Sequence, residues 1–134
     1  MKLRASYGDK VRIVFKDFPL PNHAMAAKAA EAAHCAGEQS KYWEMHDRMF
    51  ANQQALAVPQ LKEHAAALKL DAAKFDACLD SGQYAAAVNV DLEYGNQLGV
   101  ASTPTVYING RPVVGAQPYE YFQSVIDEEL ARPK

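Results

Sequence analysis

The sequence is poor in cysteine, and it has no charged tract and no long apolar run. Its 134 residues include two cysteines, Cys35 and Cys78, which lie far apart in the chain. A redox dithiol and a zinc site both favour closely spaced ligands, so this spacing counts against both. The formal net charge is -2. Because the sequence has no Lys/Arg cluster, it predicts no basic patch that would bind nucleic acid or an anionic membrane.

Several functional motifs are also missing. The sequence contains no Gly-x-Gly-x-x-Gly, phosphate loop, Gly-x-Ser-x-Gly or His-Glu-x-x-His, so nucleotide-binding and hydrolase functions have no support. The four histidines are dispersed, and we expect neither a metal site nor a cofactor. No stretch reaches membrane-spanning length, and the first four residues are not followed by the apolar segment of a signal peptide.

The composition and the length are typical of one globular domain. About half of the chain, 49%, is hydrophobic, and 134 residues are enough to enclose a core. We find no internal repeat, linker or low-complexity tract, and we therefore expect a single domain over residues 1–134.

Strand patterns occur near both ends of the chain. A β-branched and aromatic run predicts a strand at about residues 11–17, and a second run predicts one at about 105–109. Asn109-Gly110 is the strongest two-residue hairpin signal, and it predicts a return strand at about 112–115.

The residues between these strands follow a helical period. Five short helices are expected over about 22–98, the first capped by Asn22 and the fourth running from an Asp71 cap to Gly82. His46 falls within an aromatic helix face, where a hydrogen-bonded core histidine is a better expectation than a ligand or base. A last amphipathic helix should begin near Pro118.

The order of these elements resembles the DsbA-like branch of the thioredoxin-fold thiol-disulfide oxidoreductases. The segments "VRIVFKDFPL", "AAEAAHCAGEQSKYWEMHDRMF", "FDACLDSG" and "LGVASTPTVYING" carry the resemblance over nearly the whole chain. It implies an α/β fold, with a thioredoxin-like sheet (strands about 11–17, 105–109 and 112–115), an inserted helical bundle (about 22–98) and a C-terminal helix. It also implies a cis Pro104 that faces the redox pair, with Thr103 and Pro104 as substrate-binding residues.

The Cys-x-x-Cys of that family is absent from this sequence. The resemblance therefore implies that the first strand and the start of the redox helix are missing, that the domain is N-terminally truncated relative to the family, and that no catalytic residue is present. It further implies that Cys35 and Cys78 form a structural disulfide. The alternative is two buried free thiols, the usual state in a reducing cytosol.

Three functions follow from the resemblance and stay open. The chain is either a portion of a DsbA-like thiol-disulfide oxidoreductase that is inactive alone, a non-redox peptide-binding module, or a relative of the glutathione-dependent enzymes of this fold. The expected partner is an extended polypeptide at the Thr103–Pro104 edge, with no nucleic acid and no membrane. The family suggests an extracytoplasmic location.

A missing central strand would leave sheet edges unpaired. Either the strand at 11–17 pairs directly with the strand at 105–109, or two chains form a homodimer that covers the exposed edge. We expect the homodimer, since moving one strand by a full strand spacing would also displace its packing against the helices.

Overall fold

The computed structural model describes residues 2–134, which fall into two compact units. The helical unit comprises Asp17–Gly95. The hairpin unit comprises the described residues up to Lys16 together with Asn96–Lys134. Together they give the mixed α/β composition expected of a thioredoxin-like fold with inserted helices.

The helical unit is built around α2. The helices are α2 (Ala26–Gly37), α3 (Tyr42–Ala51), α4 (Val58–Ala67), α5 (Ala72–Ser81) and α6 (Ala85–Gln97), the last of which ends beyond the unit. α2 packs against α3, α4 and α5. Its buried alanines allow this close approach, since Ala32 and Ala36 are 0% exposed and Ala33 is nearly so.

Local signals set the ends of α5 as predicted. The Asp71 side chain accepts a hydrogen bond from the Lys74 backbone N–H at 3.1 Å, and Gly82 closes the helix with a φ of 69°. Both features follow from physical preferences of short sequences: a carboxylate satisfies a free N–H, and glycine adopts a left-handed backbone.

The predicted start of α2 is wrong. The helix begins at Ala26, and exposed Asn22 does not cap it. Two tight turns precede the helix, closed by the His23 N–H bonded to the Leu20 carbonyl and the Ala26 N–H bonded to the His23 carbonyl. Pro21, next to Asn22, favours such a turn over an immediate helix start.

His46 is a core histidine, as predicted. It is 7% exposed, and its Nδ1 lies 2.9 Å from Asp47 Oδ1. Its ring is in contact with the rings of Trp43 and Phe50. Burial with a polar partner is the ordinary state of such a group.

The hairpin unit begins with α1 (Lys2–Tyr7) and a 3₁₀ turn (Gly8–Lys10). Its sheet consists of β1 (Thr105–Ile108) and β2 (Arg111–Val114), which pair antiparallel. Asn109 and Gly110 connect them with φ values of 49° and 84°, the positive pair that this two-residue turn requires. The predicted hairpin is therefore confirmed to within one residue at each strand.

One face of the hairpin is covered by α7 (Tyr119–Ala131), which contacts β1. Val113, Val125 and Ile126 are the buried residues of this layer. α1 is tied to α7 by the Tyr7 hydroxyl, which donates to Asp127 Oδ1 at 2.8 Å. Desolvation and this hydrogen bond raise the pKa of Tyr7 to about 12.

The predicted strand at 11–17 is wrong. Val11 has extended dihedrals, φ -128° and ψ 144°, but residues 11–17 form no strand. The described sheet contains β1 and β2 alone, so this segment does not pair with β1 either. A strand requires a neighbouring strand along its length, and the two described strands pair with each other.

Replacing Gly95 tests the packing inside the helical unit. An alanine Cβ at this position would lie 2.6 Å from the ring of Phe18. Alanine gains about 1 kcal/mol over glycine in a helix interior, but overpacking typically costs about 1–3 kcal/mol. We expect Gly95→Ala to lower the free energy of unfolding by about 1 kcal/mol in urea titrations.

The matched control for this substitution is Asn89→Ala, at an exposed position of the same helix. It changes helix propensity without a clash and should raise the free energy of unfolding by a few tenths of a kcal/mol. Equal stabilisation by both substitutions would contradict the close contact between Gly95 and Phe18.

Candidate functional site

Half of the backbone polar groups of β1 point away from β2. In an antiparallel pair, residues alternate between positions bonded to the partner strand and positions directed outward. The Gly115 N–H donates to the Pro104 carbonyl at 2.8 Å, which fixes the alternation. With the observed register, Val106 and Ile108 face β2, whereas Thr105 and Tyr107 turn their N–H and C=O groups outward.

This outward side of β1 is an open edge. The sheet of the described residues has two strands, and none of their backbone hydrogen bonds reaches Thr105 or Tyr107 from the outward side. Tyr107 is 41% exposed. We call the outward backbone groups of these two residues the β1 edge; they can accept an added strand.

The loop that leads into β1 carries the predicted substrate-binding residues. Thr103 and Pro104 are exposed, and the peptide bond between them is cis. The Thr105 hydroxyl donates to the Ser102 carbonyl at 2.7 Å and closes this loop. The structure thus brings Thr103 and Pro104 to the beginning of the β1 edge.

Cys35 and Cys78 form a disulfide, which confirms the predicted pairing. It joins α2 to α5, and both residues are nearly inaccessible, at 1% and 3% exposed. Neither sulfur is therefore available as a thiolate nucleophile. The bond lies in the core of the helical unit.

A buried polar cluster at the start of the helical unit was not predicted. Asp17 is 4% exposed and accepts from His34 Nε2 at 2.6 Å, while its N–H donates to Asp91 Oδ2 at 3.0 Å. The His34 ring stacks on Tyr84. Burial raises the pKa of Tyr42, and the Asp17 and Asp91 carboxylates raise it further. These bonds join residues that are distant in sequence, and no local sequence pattern predicts them.

A shallow cavity of about 440 Å³ lies near the C-terminal end of α7 in the hairpin unit. Desolvation raises the pKa of Glu129, but hydrogen bonds from Arg111, Arg132 and Asn109 outweigh it and lower the pKa. Arg111 and Arg132 are thus already paired with this carboxylate.

The described residues contain neither a metal-binding cluster nor a membrane-spanning helix. No group of three or more His, Cys, Asp or Glu side chains could hold a metal ion. None of the helices has the length and apolar character needed to cross a membrane.

Comparison with known proteins gives one family match and several relatives. The family model described as "Thioredoxin" matches residues 1–128. Na(+)/H(+) antiporter NhaA 3 of Salinispora tropica is 38% identical over 102 residues, which are 75% of this chain and 16% of the antiporter. NhaA 1 of Salinispora arenicola is 34% identical over 122 residues, 90% of this chain and 19% of that protein.

A further relative is NhaA of Herminiimonas arsenicoxydans, 37% identical over 114 residues, 85% of this chain and 18% of that protein. The chain thus spans less than a fifth of the length of the curated relatives it matches.

Removing the disulfide should destabilise the helical unit. Cys35 and Cys78 close a loop with a sequence separation of 43, for which chain entropy gives about 4 kcal/mol of stabilisation. We expect the Cys35→Ala/Cys78→Ala variant to lose much of this in urea unfolding. The intact mass of the unmodified chain should be lower than the reduced mass by two hydrogen atoms. An intact mass that does not change on reduction would contradict the disulfide.

Proposed function

Since the chain belongs to the thioredoxin family, we propose that it is the polypeptide-docking portion of a DsbA-like thiol-disulfide oxidoreductase. The observation that carries this proposal is the exposure of Thr103 and Pro104 on the loop that leads into β1. An extended polypeptide can dock at this Thr103–Pro104 edge by pairing its own backbone with the exposed backbone groups there.

The affinity of such docking comes mainly from the main chain. Each hydrogen bond formed with the backbone of the Thr103–Pro104 edge contributes about 0.5–1.5 kcal/mol net, with little dependence on side-chain identity. Exposed Tyr107 adds an aromatic surface beside the docked strand. A site of this kind suits an oxidoreductase that acts on many unfolded polypeptides.

The redox chemistry requires thiols from outside these 134 residues. In the proposed reaction, a substrate thiolate attacks the disulfide of a Cys-x-x-Cys, and a mixed disulfide forms. The second substrate thiolate then displaces the enzyme thiol. The substrate dithiol loses two electrons and two protons, and the Cys-x-x-Cys gains them. Thr103 and Pro104 hold the substrate beside this exchange.

Peptide docking at the Thr103–Pro104 edge predicts a localised NMR response. We expect an unstructured cysteine-containing peptide, added to the dilute ¹⁵N-labelled chain, to shift the amide signals of residues 103–108 in a saturable way. The matched control is the same peptide N-methylated at alternate residues, which lacks the donors needed for strand pairing. Equal binding of the methylated peptide, or shifts confined to the helical unit, would refute docking at this edge.

The chain as given should be inactive in thiol-disulfide exchange, since its cysteines are buried in a disulfide. We expect no insulin reduction and no oxidation of a dithiol peptide above the rate of the Cys35→Ala/Cys78→Ala variant. The same result is expected with glutathione as the reductant. Clear turnover by the unmodified chain alone would contradict this prediction.

A peptide-binding module without redox activity is the second candidate, and the lack of any accessible thiol in this sequence favours it. A third role, attachment to a Na(+)/H(+) antiporter, is suggested by the names of the relatives. The codons that flank this segment in its gene distinguish the candidates. An in-frame Cys-x-x-Cys upstream supports the oxidoreductase and excludes the module, and a transporter-coding region in the same frame supports attachment.

A further inference from the structure

We propose that the Asn109–Gly110 turn is a site of spontaneous covalent modification, at which Asn109 converts to aspartate and isoaspartate. The two residues connect β1 to β2, and both are exposed. The proposal rests on the chemistry and the hydrogen bonds of this turn, and it does not depend on the proposed function.

The reaction takes place between a side-chain amide and the backbone nitrogen that follows it. The Gly110 nitrogen gives its proton to a base and attacks Cγ of Asn109. The bond between this nitrogen and Cγ forms, the Cγ–Nδ2 bond breaks, and ammonia leaves with a proton from the solvent as a succinimide ring closes. Water then hydrolyses either carbonyl group of the ring, which gives aspartate or isoaspartate. No oxidant or reductant takes part.

Glycine after asparagine leaves the attacking nitrogen unobstructed, since no Cβ lies beside it. Among the asparagines of the sequence, Asn109 alone is followed by glycine. Apart from its chain neighbours, no heavy atom lies within 4 Å of the position that a Cβ of Gly110 would occupy. Water and base can therefore reach this nitrogen from the solvent.

The attacking N–H is free in this turn. Within the described part of the chain, no acceptor is bonded to the Gly110 N–H. By contrast, the N–H groups that follow Asn89 and Asn96 lie in α6, where such groups are bonded along the helix. The N–H that follows Asn22 donates to the Leu20 carbonyl at 3.0 Å. Those three nitrogens must first lose a hydrogen bond, whereas that of Gly110 does not.

The backbone of the turn also favours brief opening. Asn109 has a φ of 49°, in the left-handed region that a residue with a Cβ adopts at a cost, even though asparagine tolerates it better than most residues. Exposed loop tips are the segments that open with the least free energy, and helix interiors need more. An opened tip lets the Gly110 nitrogen and Cγ of Asn109 reach the geometry of attack.

Conversion would change the contact between the turn and α7. The Asn109 Nδ2 donates to Glu129 Oε2 at 3.4 Å, and the Glu129 carboxylate is also paired with Arg111 and Arg132. A carboxylate at position 109 has no hydrogen to donate, so this hydrogen bond becomes a contact between like charges. Isoaspartate also adds a methylene group to the main chain between β1 and β2, which a two-residue turn does not accommodate.

Mass spectrometry of the chain, kept in mildly alkaline buffer at physiological temperature, tests the modification. We expect the mass to rise by the difference between an oxygen atom and an NH group. Peptide mapping should place the change at Asn109, on the order of tenfold faster than at Asn89 or Asn96 because a helix opens less readily than a loop tip. An isoaspartyl methyltransferase should label the same peptide.

The matched control is Asn109→Gly, which has no side-chain amide and tolerates the positive φ of the turn. This variant should show no change of mass in the peptide that contains position 109. A synthetic peptide of residues 105–114 gives the rate in the absence of the fold. Conversion of this peptide without conversion of Asn109 in the folded chain would overturn the proposal, as would conversion that begins at another asparagine.

The effect on the hairpin has its own measurement. In ¹⁵N spectra of the converted chain, we expect the amide signals of residues 105–114 to shift and those of the helical unit to stay unchanged. Hairpin signals that stay in place after conversion would refute the effect on the turn.

Discussion

The alternation of backbone hydrogen bonds along β1 is the constraint on which the geometry of the candidate site depends. Val106 and Ile108 are paired with β2, so Thr105 and Tyr107 must present their polar groups on the other side. Backbone groups left without a partner are costly wherever water is excluded. The edge therefore has to remain solvated or be covered by another strand.

The two units differ in how their elements are packed. The helical unit has its own buried core: α2 lies among three other helices, its alanines permit close packing, and the Cys35–Cys78 bond joins it to α5. The hairpin unit has a covered face against α7 and an open edge on β1. The largest buried cluster and the disulfide lie in the first unit, and the two-stranded sheet lies in the second.

The sequence predicted best the features that depend on neighbouring residues. Asn109-Gly110, the Asp71 cap and Gly82 each act through preferences confined to a few positions, and each was placed correctly. Residues 11–17 have the composition of a strand, but strand formation depends on a partner strand that is distant in sequence, and the described sheet consists of β1 and β2. The bond between Asp17 and His34 depends in the same way on how α2 lies against the preceding segment.

The candidate site could be described only in part from the sequence, for the same reason. The resemblance assigns substrate binding to Thr103 and Pro104, which stays a prediction, and the direction of the backbone groups that follow them became apparent only when the hairpin register was known. Amide hydrogen exchange of the dilute chain tests this account most directly. We predict protection of the Val106 and Ile108 amides and fast exchange of the Thr105 and Tyr107 amides. Protection of all four amides in the monomer would show that the edge is already covered within one chain, and it would contradict the account.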